Sequence, residues 1–299
     1  MILRVDRLQV ELPAITDPDP GAAAHVQELL GGRFGEMSTL MNYTFQSFNM
    51  RGRTKVKPFY DLIANIAAEE YGHVELVSAV IGGLLTGVPD GDDSREVPLR
   101  ALKDSAGIRH HWINGGLGAL PVNSLGQGWN GEYVFNSGDL VLDLLHNFFL
   151  ENGARMAKIR VYETTDHPIA RQMLGYLFVR GGVHALAYAK ALEELTGVDV
   201  KKMLPIPAIP DADFKEAKQY TDQGMHAKLY RFSPDDFKDM WPLWQGEHPH
   251  DGTPLEMLDG LPETAADGPA DPREEAAVFA PGINPGELAE IAQRLMKNM

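Results

Sequence analysis

The sequence contains no cysteine in its 299 residues. Without thiols the chain cannot form disulfides, thiolate metal sites or a cysteine nucleophile. Disulfides are rare in the cytoplasm, so the absence of cysteine fits a cytoplasmic protein, and we predict that location.

Long apolar runs and an excess of basic charge are also missing. No stretch approaches the roughly 18 consecutive apolar residues of a membrane span, and the N-terminal MILRVDRLQVELP lacks the apolar core of a signal peptide. The 27 Lys and Arg residues against 42 Asp and Glu residues give a net charge of -15. We therefore predict a soluble protein that binds neither nucleic acids nor anionic membranes.

Hydrophobic periodicity predicts an all-α fold built on four long helices. We expect these helices at residues 22–50, 57–85, 138–162 and 168–196. Thr164, Thr165 and Asp166 offer N-caps for the fourth helix. A Gly-, Pro- and Asn-rich crossover, residues 88–136, joins the two helix pairs, and this connectivity is typical of ferritin-like four-helix bundles.

Two segments flank the predicted bundle, which occupies residues 22–198. The N-terminal arm, 1–21, reads as a short strand or as an extended segment lying on a neighbouring subunit. The C-terminal tail, 199–299, is expected to contain short helices at about 213–229 and 286–298. Its proline-rich part is either disordered or wraps over a neighbouring subunit, with Trp241, Trp244 and Phe279 as anchors.

The strongest local signal is the segment Glu70-Tyr-Gly-His73 in an otherwise apolar helix. Residues three apart on a helix lie about 60° apart around its axis and about 4.5 Å along it, so both side chains reach one point. A carboxylate and an imidazole at that point can bind one cation, and the second carboxylate oxygen can reach another. The spacing alone is common, and an ordinary polar stripe would also produce it.

Three further polar residues have apolar surroundings in the other bundle helices, namely Glu36, Glu151 and His184. Buried ionised carboxylates are costly unless they are paired or bound to a metal. In di-iron and di-manganese bundles, two helices contribute one Glu each and two contribute Glu-x-x-His. The sequence fits this pattern except that Gly181 stands three residues before His184. We therefore predict a site for two redox metal ions, held by Glu36, Glu70, His73, Glu151 and His184.

Several other residues near these ligands have two interpretations. Tyr43 lies two turns after Glu36 and either hydrogen-bonds a ligand carboxylate or is an ordinary interior tyrosine. Arg155 and Arg180 either support the ligands or form salt bridges at the end of the bundle. Glu69 and Glu75 are interpreted as solvent or interface charges. The remaining histidines of interest are interpreted as core, structural or surface residues: His110, His111, His146, His248 and His250.

Longer blocks of the chain resemble the manganese catalases, a family of non-haem dinuclear enzymes. Besides the N-terminal arm, these blocks are GGRFGEMSTLMNYTFQSFNMRG (31–52), YDLIANIAAEEYGHVELV (60–77), WNGEYVFNSGDLVLDLLHNFFLENGAR (129–155), LGYLFVRGGVHALAYAKALEELTGV (174–198) and KMLPIPAIP (202–210). The resemblance implies that Glu70 bridges two manganese ions. Glu36 and His73 then complete one ion's ligands, and Glu151 and His184 the other's. Glu70 and Tyr43 are the residues expected to take part in catalysis.

The chain departs from the family pattern at a few positions. Leu150 and Gly181 stand where some members carry Arg and Glu, which removes one carboxylate that could act as a base and suggests wider access to the metals. Some relatives bind calcium near a subunit interface, and Asp61 matches part of that pattern, but Asn65 stands where another Asp is expected. The resemblance also implies a homohexamer.

The predicted activity is the disproportionation of hydrogen peroxide to water and dioxygen. Two manganese ions that cycle between the +2 and +3 states supply a two-electron store, and bridging water or hydroxide takes and returns protons. Carboxylate and imidazole ligands do not select manganese over iron. A di-iron oxidase or peroxidase and a structural protein without turnover are the two alternatives.

Overall fold

The structure is a computed structural model that describes residues 7–86, 118–203, 210–267 and 285–297. Most of these residues are helical, and five long or medium helices build the bundle. They are α1 (Pro20–Gly31), α2 (Glu36–Asn49), α3 (Lys57–Thr86), α4 (Leu140–Thr164) and α5 (Pro168–Thr196). No helix within these ranges is long and apolar enough to cross a membrane.

The prediction of one helix over residues 22–50 is wrong, because the chain breaks between α1 and α2. Gly32 and Gly35 are extended there, with ψ near 167° and 170°. A Cβ added at Gly32 would lie 2.4 Å from the Glu28 carbonyl oxygen, so only glycine permits this tight passage. As a result Glu36 is the first residue of α2 rather than a mid-helix residue.

The other bundle helices begin and end close to the predicted positions. Asp139 caps α4 by accepting a hydrogen bond from the Leu142 N–H, and Gly197 ends α5 in the left-handed region at φ 74°. The N-cap of α5 is His167, without a side-chain capping bond, so the predicted N-caps are wrong. Of the predicted crossover 88–136, residues 88–117 lie outside the described ranges. The rest carries a short 3-10 helix, Gly131–Tyr133.

Two apolar clusters fill the bundle, one above and one below a polar layer. The first joins α1 to the C-terminal half of α3 and the N-terminal half of α5. The second joins the N-terminal half of α3 to the C-terminal half of α5 and to the tail. Glu70, His73 and Glu151 fall between the clusters along their helices, and His184 lies at the near edge of the second cluster. Apolar packing on both sides therefore holds a buried polar layer in the middle of the bundle.

Residues 210–267 of the tail pack against the bundle of their own chain, whereas the last helix of the tail exposes its described side chains. The described part of the tail contains α6 (Val200–Met203), α7 (Lys215–Asp222), β1 (Lys228–Arg231), β2 (Glu256–Asp259) and α8 (Pro285–Met296). The helix predicted at 213–229 is therefore too long. The two short strands pair in parallel, Lys228 opposite Glu256, and were not predicted.

The predicted anchors of the tail behave differently from one another. Trp244 is buried in the second apolar cluster, and its indole N–H donates to the Glu256 carbonyl at 2.9 Å. Trp241 is 55% exposed, and Phe279 lies outside the described residues. The N-terminal arm also contacts its own chain, because Leu8 pairs with Ala266. Wrapping of the tail over a neighbour stays a prediction.

Candidate metal centre

The structure brings the five predicted ligands together in two groups that share one residue. Glu36, Glu70 and His73 form the first group, and Glu70, Glu151 and His184 form the second. Within each group the ligand atoms lie within 4.8 Å of one another. All five side chains are at most 1% exposed. A carboxylate that belongs to both groups has the position of a bridge between two ions.

Both imidazoles turn their Nδ1 atoms toward the carboxylates. His73 Nδ1 lies 3.2 Å from Glu70 Oε2 and 3.6 Å from Glu36 Oε2. His184 Nδ1 lies 2.7 Å from Glu70 Oε1 and 3.4 Å from Glu151 Oε1. The two rings stack with their centroids 5.6 Å apart. The two oxygens of Glu70 are thus divided between the two histidines, as a bridging carboxylate requires.

Unpartnered atoms in this layer test whether metal ions fit. Glu36 Oε2 and Glu151 Oε2 are buried and have no hydrogen-bond partner. His184 Nδ1 also lacks a hydrogen bond, although it approaches Glu70 closely. A buried carboxylate oxygen without a partner is costly. A donor set of carboxylate oxygens and imidazole nitrogens suits a first-row transition metal, so the residues fit the expected cations.

Glu69 belongs to the site, and its interpretation as a solvent or interface charge is wrong. It is fully buried, and Arg180 donates to both of its oxygens, from Nε at 2.6 Å and from Nη2 at 3.1 Å. Burial alone would raise the pKa of the Glu69 carboxyl, but Arg180 and His184 outweigh burial and lower it well below its usual range. The carboxylate is therefore ionised.

The Nε2 atoms of both ligand histidines face Glu69. His184 Nε2 lies 3.1 Å from Glu69 Oε2, at an angle outside hydrogen-bond geometry, and His73 Nε2 lies 3.7 Å from Oε1. A carboxylate behind a metal-binding imidazole fixes its tautomer and ring orientation. The i,i+4 spacing of Glu69 and His73 was the signal in the sequence that indicated this contact.

Lys158 is a second residue that sequence reasoning missed. Its side chain is 2% exposed, and its Nζ lies 2.9 Å from Glu36 Oε1. Burial acts to lower the pKa of Lys158, but the carboxylates of Glu36, Glu151 and Glu70 outweigh it and raise the pKa. Lys158 lies seven residues, or about two turns, after Glu151 and therefore on the same face of α4.

Lys158 and Arg155 border the space next to Gly181. A Cβ at Gly181 would lie 3.2 Å from Arg155 Cγ, 3.6 Å from Glu151 Oε2 and 3.7 Å from Lys158 Nζ. Cationic side chains therefore approach the position where some family members carry a carboxylate. The layer holds two buried cations, Lys158 and Arg180, and four buried carboxylates, those of Glu36, Glu69, Glu70 and Glu151. This excess of negative charge favours the binding of divalent cations.

Two hydroxyls hold the ligand carboxylates in place. Tyr43 is fully buried and donates to Glu151 Oε1 at 2.6 Å. Thr39 donates to Glu70 Oε2 at 2.7 Å. Burial, followed by the Glu151 carboxylate, raises the pKa of Tyr43 well above its usual value. Tyr43 is therefore a protonated donor to a ligand rather than an ordinary interior tyrosine.

Asp61 lies apart from this cluster, and Arg155 lies at its border. Asp61 is buried, with one oxygen on the Lys57 ammonium and the other accepting from the Asp239 N–H at 3.0 Å. Both oxygens thus face donors, and calcium at Asp61 stays a prediction without a supporting contact. Arg155 Nη2 donates to Asp211 at 2.9 Å. His110 and His111 lie outside the described residues.

The helical bundle places the protein in the ferritin-like class, and its two candidate ligand groups share Glu70, as the ligand sets of dinuclear centres in that class do. Comparison with known proteins is consistent with this class. The family model for manganese containing catalase matches residues 1–299, so the chain belongs to the manganese catalase family.

Individual relatives agree with this assignment. The chain is 39% identical to a manganese catalase of Bacillus subtilis over 186 residues, 61% of this chain and 67% of that protein. It is 38% identical to a manganese catalase of Lactiplantibacillus plantarum over 178 residues, 59% and 66% of the two chains. The crystal structure of KatB, a manganese catalase from Anabaena, matches with a TM-score of 0.55 at 24% identity, covering 78% of this chain and 92% of KatB. This structural match supports the fold alone.

Proposed function

We propose that the protein disproportionates hydrogen peroxide at a centre of two manganese ions held by Glu36, Glu70, His73, Glu151 and His184. The observation that carries this proposal is the pair of ligand groups that share Glu70. Membership of the manganese catalase family supplies the metal and the enzyme class. When bound, two manganese ions that alternate between the +2 and +3 states supply the two electrons that each half of the reaction needs.

The surrounding residues provide the conditions for such chemistry. Buried apolar clusters on both sides exclude bulk water from the polar layer. Glu69, paired with Arg180, faces the Nε2 atoms of both imidazoles, and Thr39 and Tyr43 donate hydrogen bonds to Glu70 and Glu151. Lys158 carries its proton 2.9 Å from Glu36 Oε1. We propose that this ammonium–carboxylate pair holds a proton at the edge of the centre. The pair lies close to Gly181, the position where some family members carry a carboxylate.

The experiment that tests the function combines metal analysis with an activity assay. Protein purified without added metal is expected to contain manganese at two ions per chain and to evolve dioxygen from peroxide in the presence of cyanide, which inhibits haem enzymes. Iron at two ions per chain would instead favour the di-iron oxidase or peroxidase. Protein with a full complement of manganese that evolves no dioxygen would contradict the catalase and favour a structural role.

Tyr43 is proposed to act in turnover by positioning Glu151. Tyr43→Phe removes the hydroxyl that donates to Glu151 Oε1 but keeps the ring, so turnover is expected to fall about 10- to 100-fold. Dioxygen evolution at equal manganese content measures this effect. Tyr71→Phe, at a side chain that is 37% exposed on the same bundle, is the matched control and is expected to leave turnover unchanged. Equal turnover in the two variants would rule out the role of Tyr43.

We further propose a homo-oligomer, a hexamer by family resemblance, in the cytoplasm. Phe48, Leu142 and Phe149 expose 74%, 51% and 59% of their surface, although they are large and apolar. Exposed apolar side chains on neighbouring helices support contacts between subunits. Light scattering on the purified protein would measure the mass, and a monomer would contradict the assembly.

A further inference from the structure

A second cluster of metal-ligating side chains lies outside the dinuclear centre. His226, His248 and Asp251 place one ligand atom each within 4.8 Å of the others. His226 Nε2 lies 2.8 Å from Asp251 Oδ2, and His248 Nδ1 lies 3.3 Å from Asp251 Oδ1. Two imidazoles around one carboxylate form the ligand set of many mononuclear zinc and iron sites.

Local structure holds the three side chains from two directions. His226 belongs to the 3-10 helix Met225–Ala227, which Arg180 ties to α5 by donating to the Met225 carbonyl at 3.1 Å. His248 and Asp251 lie on one tight loop. The Gly252 N–H donates to the His248 carbonyl at 2.9 Å, and the His248 N–H donates to the Thr253 carbonyl at 2.7 Å. The backbone thus holds the ligands near one another before any ion binds.

The cluster opens onto a cavity of about 360 Å³. His226, His248 and Asp251 line it together with Asn152 and Gly182. His226 is 7% exposed, and its Nδ1 has no hydrogen-bond partner. An ion held by three protein ligands keeps positions open for water or a small ligand, and the cavity has room for them.

We propose that His226, His248 and Asp251 bind one divalent metal ion such as Zn²⁺, at a site separate from the dinuclear centre. The side chain of Asp251 is 43% exposed and that of His248 is 16% exposed, so small rotations bring their ligand atoms to bond lengths of about 2.0–2.2 Å. Calcium and magnesium prefer oxygen ligands, so a site with two imidazole nitrogens does not favour them. This assignment revises the interpretation of His248 as a structural or surface residue.

The second site lies close to the dinuclear centre. Asn152 directly follows Glu151, and Gly182 lies two residues before His184, so the cavity borders the helical turns that carry two ligands of the dinuclear centre. Zinc bound here would also join the loop of residues 246–255 to the 3-10 helix packed on α5. The second site does not depend on which metal the dinuclear centre holds.

Zinc uptake by the manganese-loaded protein tests the proposal. The wild-type protein, dialysed against Zn²⁺ and desalted, is expected to gain one zinc per chain while its manganese content stays constant. His248→Ala and Asp251→Asn are expected to gain none, with circular dichroism showing that both remain folded. Glu247→Gln in the same loop and the exposed His25→Ala on α1 are matched controls, and both should still gain one zinc.

Zinc and manganese are measured on the same sample, so that binding at the second site is distinguished from exchange at the dinuclear centre. Zinc that appears only as manganese disappears would show exchange at the dinuclear centre and would overturn the proposal. The same holds if the wild-type protein gains no zinc, or if His248→Ala and Asp251→Asn gain as much as the wild-type protein does.

Discussion

Glu69 and Lys158 show how single charged residues shape the candidate metal centre. Glu69 lies behind both ligand imidazoles and is paired with Arg180, whereas Lys158 pairs with Glu36. Each is buried, so each contributes a full charge in a region where water does not screen it. Replacing them tests two different functions, ligand orientation and charge balance.

Glu69→Gln is expected to weaken manganese binding by about 10- to 100-fold, because a neutral amide holds the two imidazoles less firmly. It also leaves the Arg180 guanidinium buried without its carboxylate, which costs about 3–5 kcal/mol of folding free energy. Competition with a chelator measures the affinity, and urea unfolding measures the stability. Glu193→Gln, at an exposed position of α5, should change neither quantity. Manganese affinity equal to that of the wild-type protein would refute the orienting role of Glu69.

Lys158→Met is expected to destabilise the metal-free protein by about 3–5 kcal/mol, because Glu36 loses its buried partner. The metal-bound protein should lose less stability, since a cation then neutralises Glu36. By the thermodynamic cycle, the variant must bind manganese more tightly than the wild-type protein does. Urea unfolding with and without Mn²⁺ measures both states, and exposed Lys201→Met is the control. An equal loss in the two states would contradict the charge-balance argument.

At the scale of helices, two glycines within helices have different surroundings. A Cβ at Gly175 in α5 would lie 2.5 Å from the Glu216 carbonyl carbon and 2.7 Å from the Ala217 nitrogen, both backbone atoms near the start of α7. A Cβ at Gly82 in α3 would meet nothing within 4 Å. Gly175 therefore permits close packing of α7 on α5, whereas Gly82 has room for a side chain.

Alanine at these two positions is expected to change stability in opposite directions. Gly175→Ala forces the backbones of α5 and α7 apart and should lower the free energy of unfolding by about 1–3 kcal/mol. Gly82→Ala gains helix propensity and should stabilise by up to about 1 kcal/mol. Urea unfolding of both variants at equal manganese content measures the difference. Similar effects of the two substitutions would show that α7 does not pack against Gly175 in solution.

For the whole molecule, the polar layer links stability to metal binding. Four buried carboxylates lie between two apolar clusters, and a bound cation stabilises only the folded state that assembles them. Removing the metal with a chelator is expected to lower the melting temperature by about 5 °C or more, and Mn²⁺ should restore it. Calorimetry measures this shift. His184→Ala, which lacks one ligand, should show a smaller response to Mn²⁺, and an equal response would place the stabilising ions elsewhere.

The sequence by itself determined the helices and the set of candidate ligands. Helical periodicity located α3, α4 and α5 within a few residues, because each buries an apolar stripe whose spacing is local. Glu70 and His73 were found together because an i,i+3 pair faces one side of a helix wherever that helix packs. Glu36, Glu151 and His184 were found because charged residues in apolar surroundings need a partner.

Tertiary structure decided which other residues join the site. Glu69 points toward the imidazoles only because α5 places Arg180 and His184 against α3. The break between α1 and α2 depends on the close approach of backbone around Gly32, and the strands pair residues 28 positions apart. Such contacts join positions that are distant in sequence, so no local pattern records them. His226 and Asp251 likewise meet, 25 residues apart, only because the tail folds back on itself.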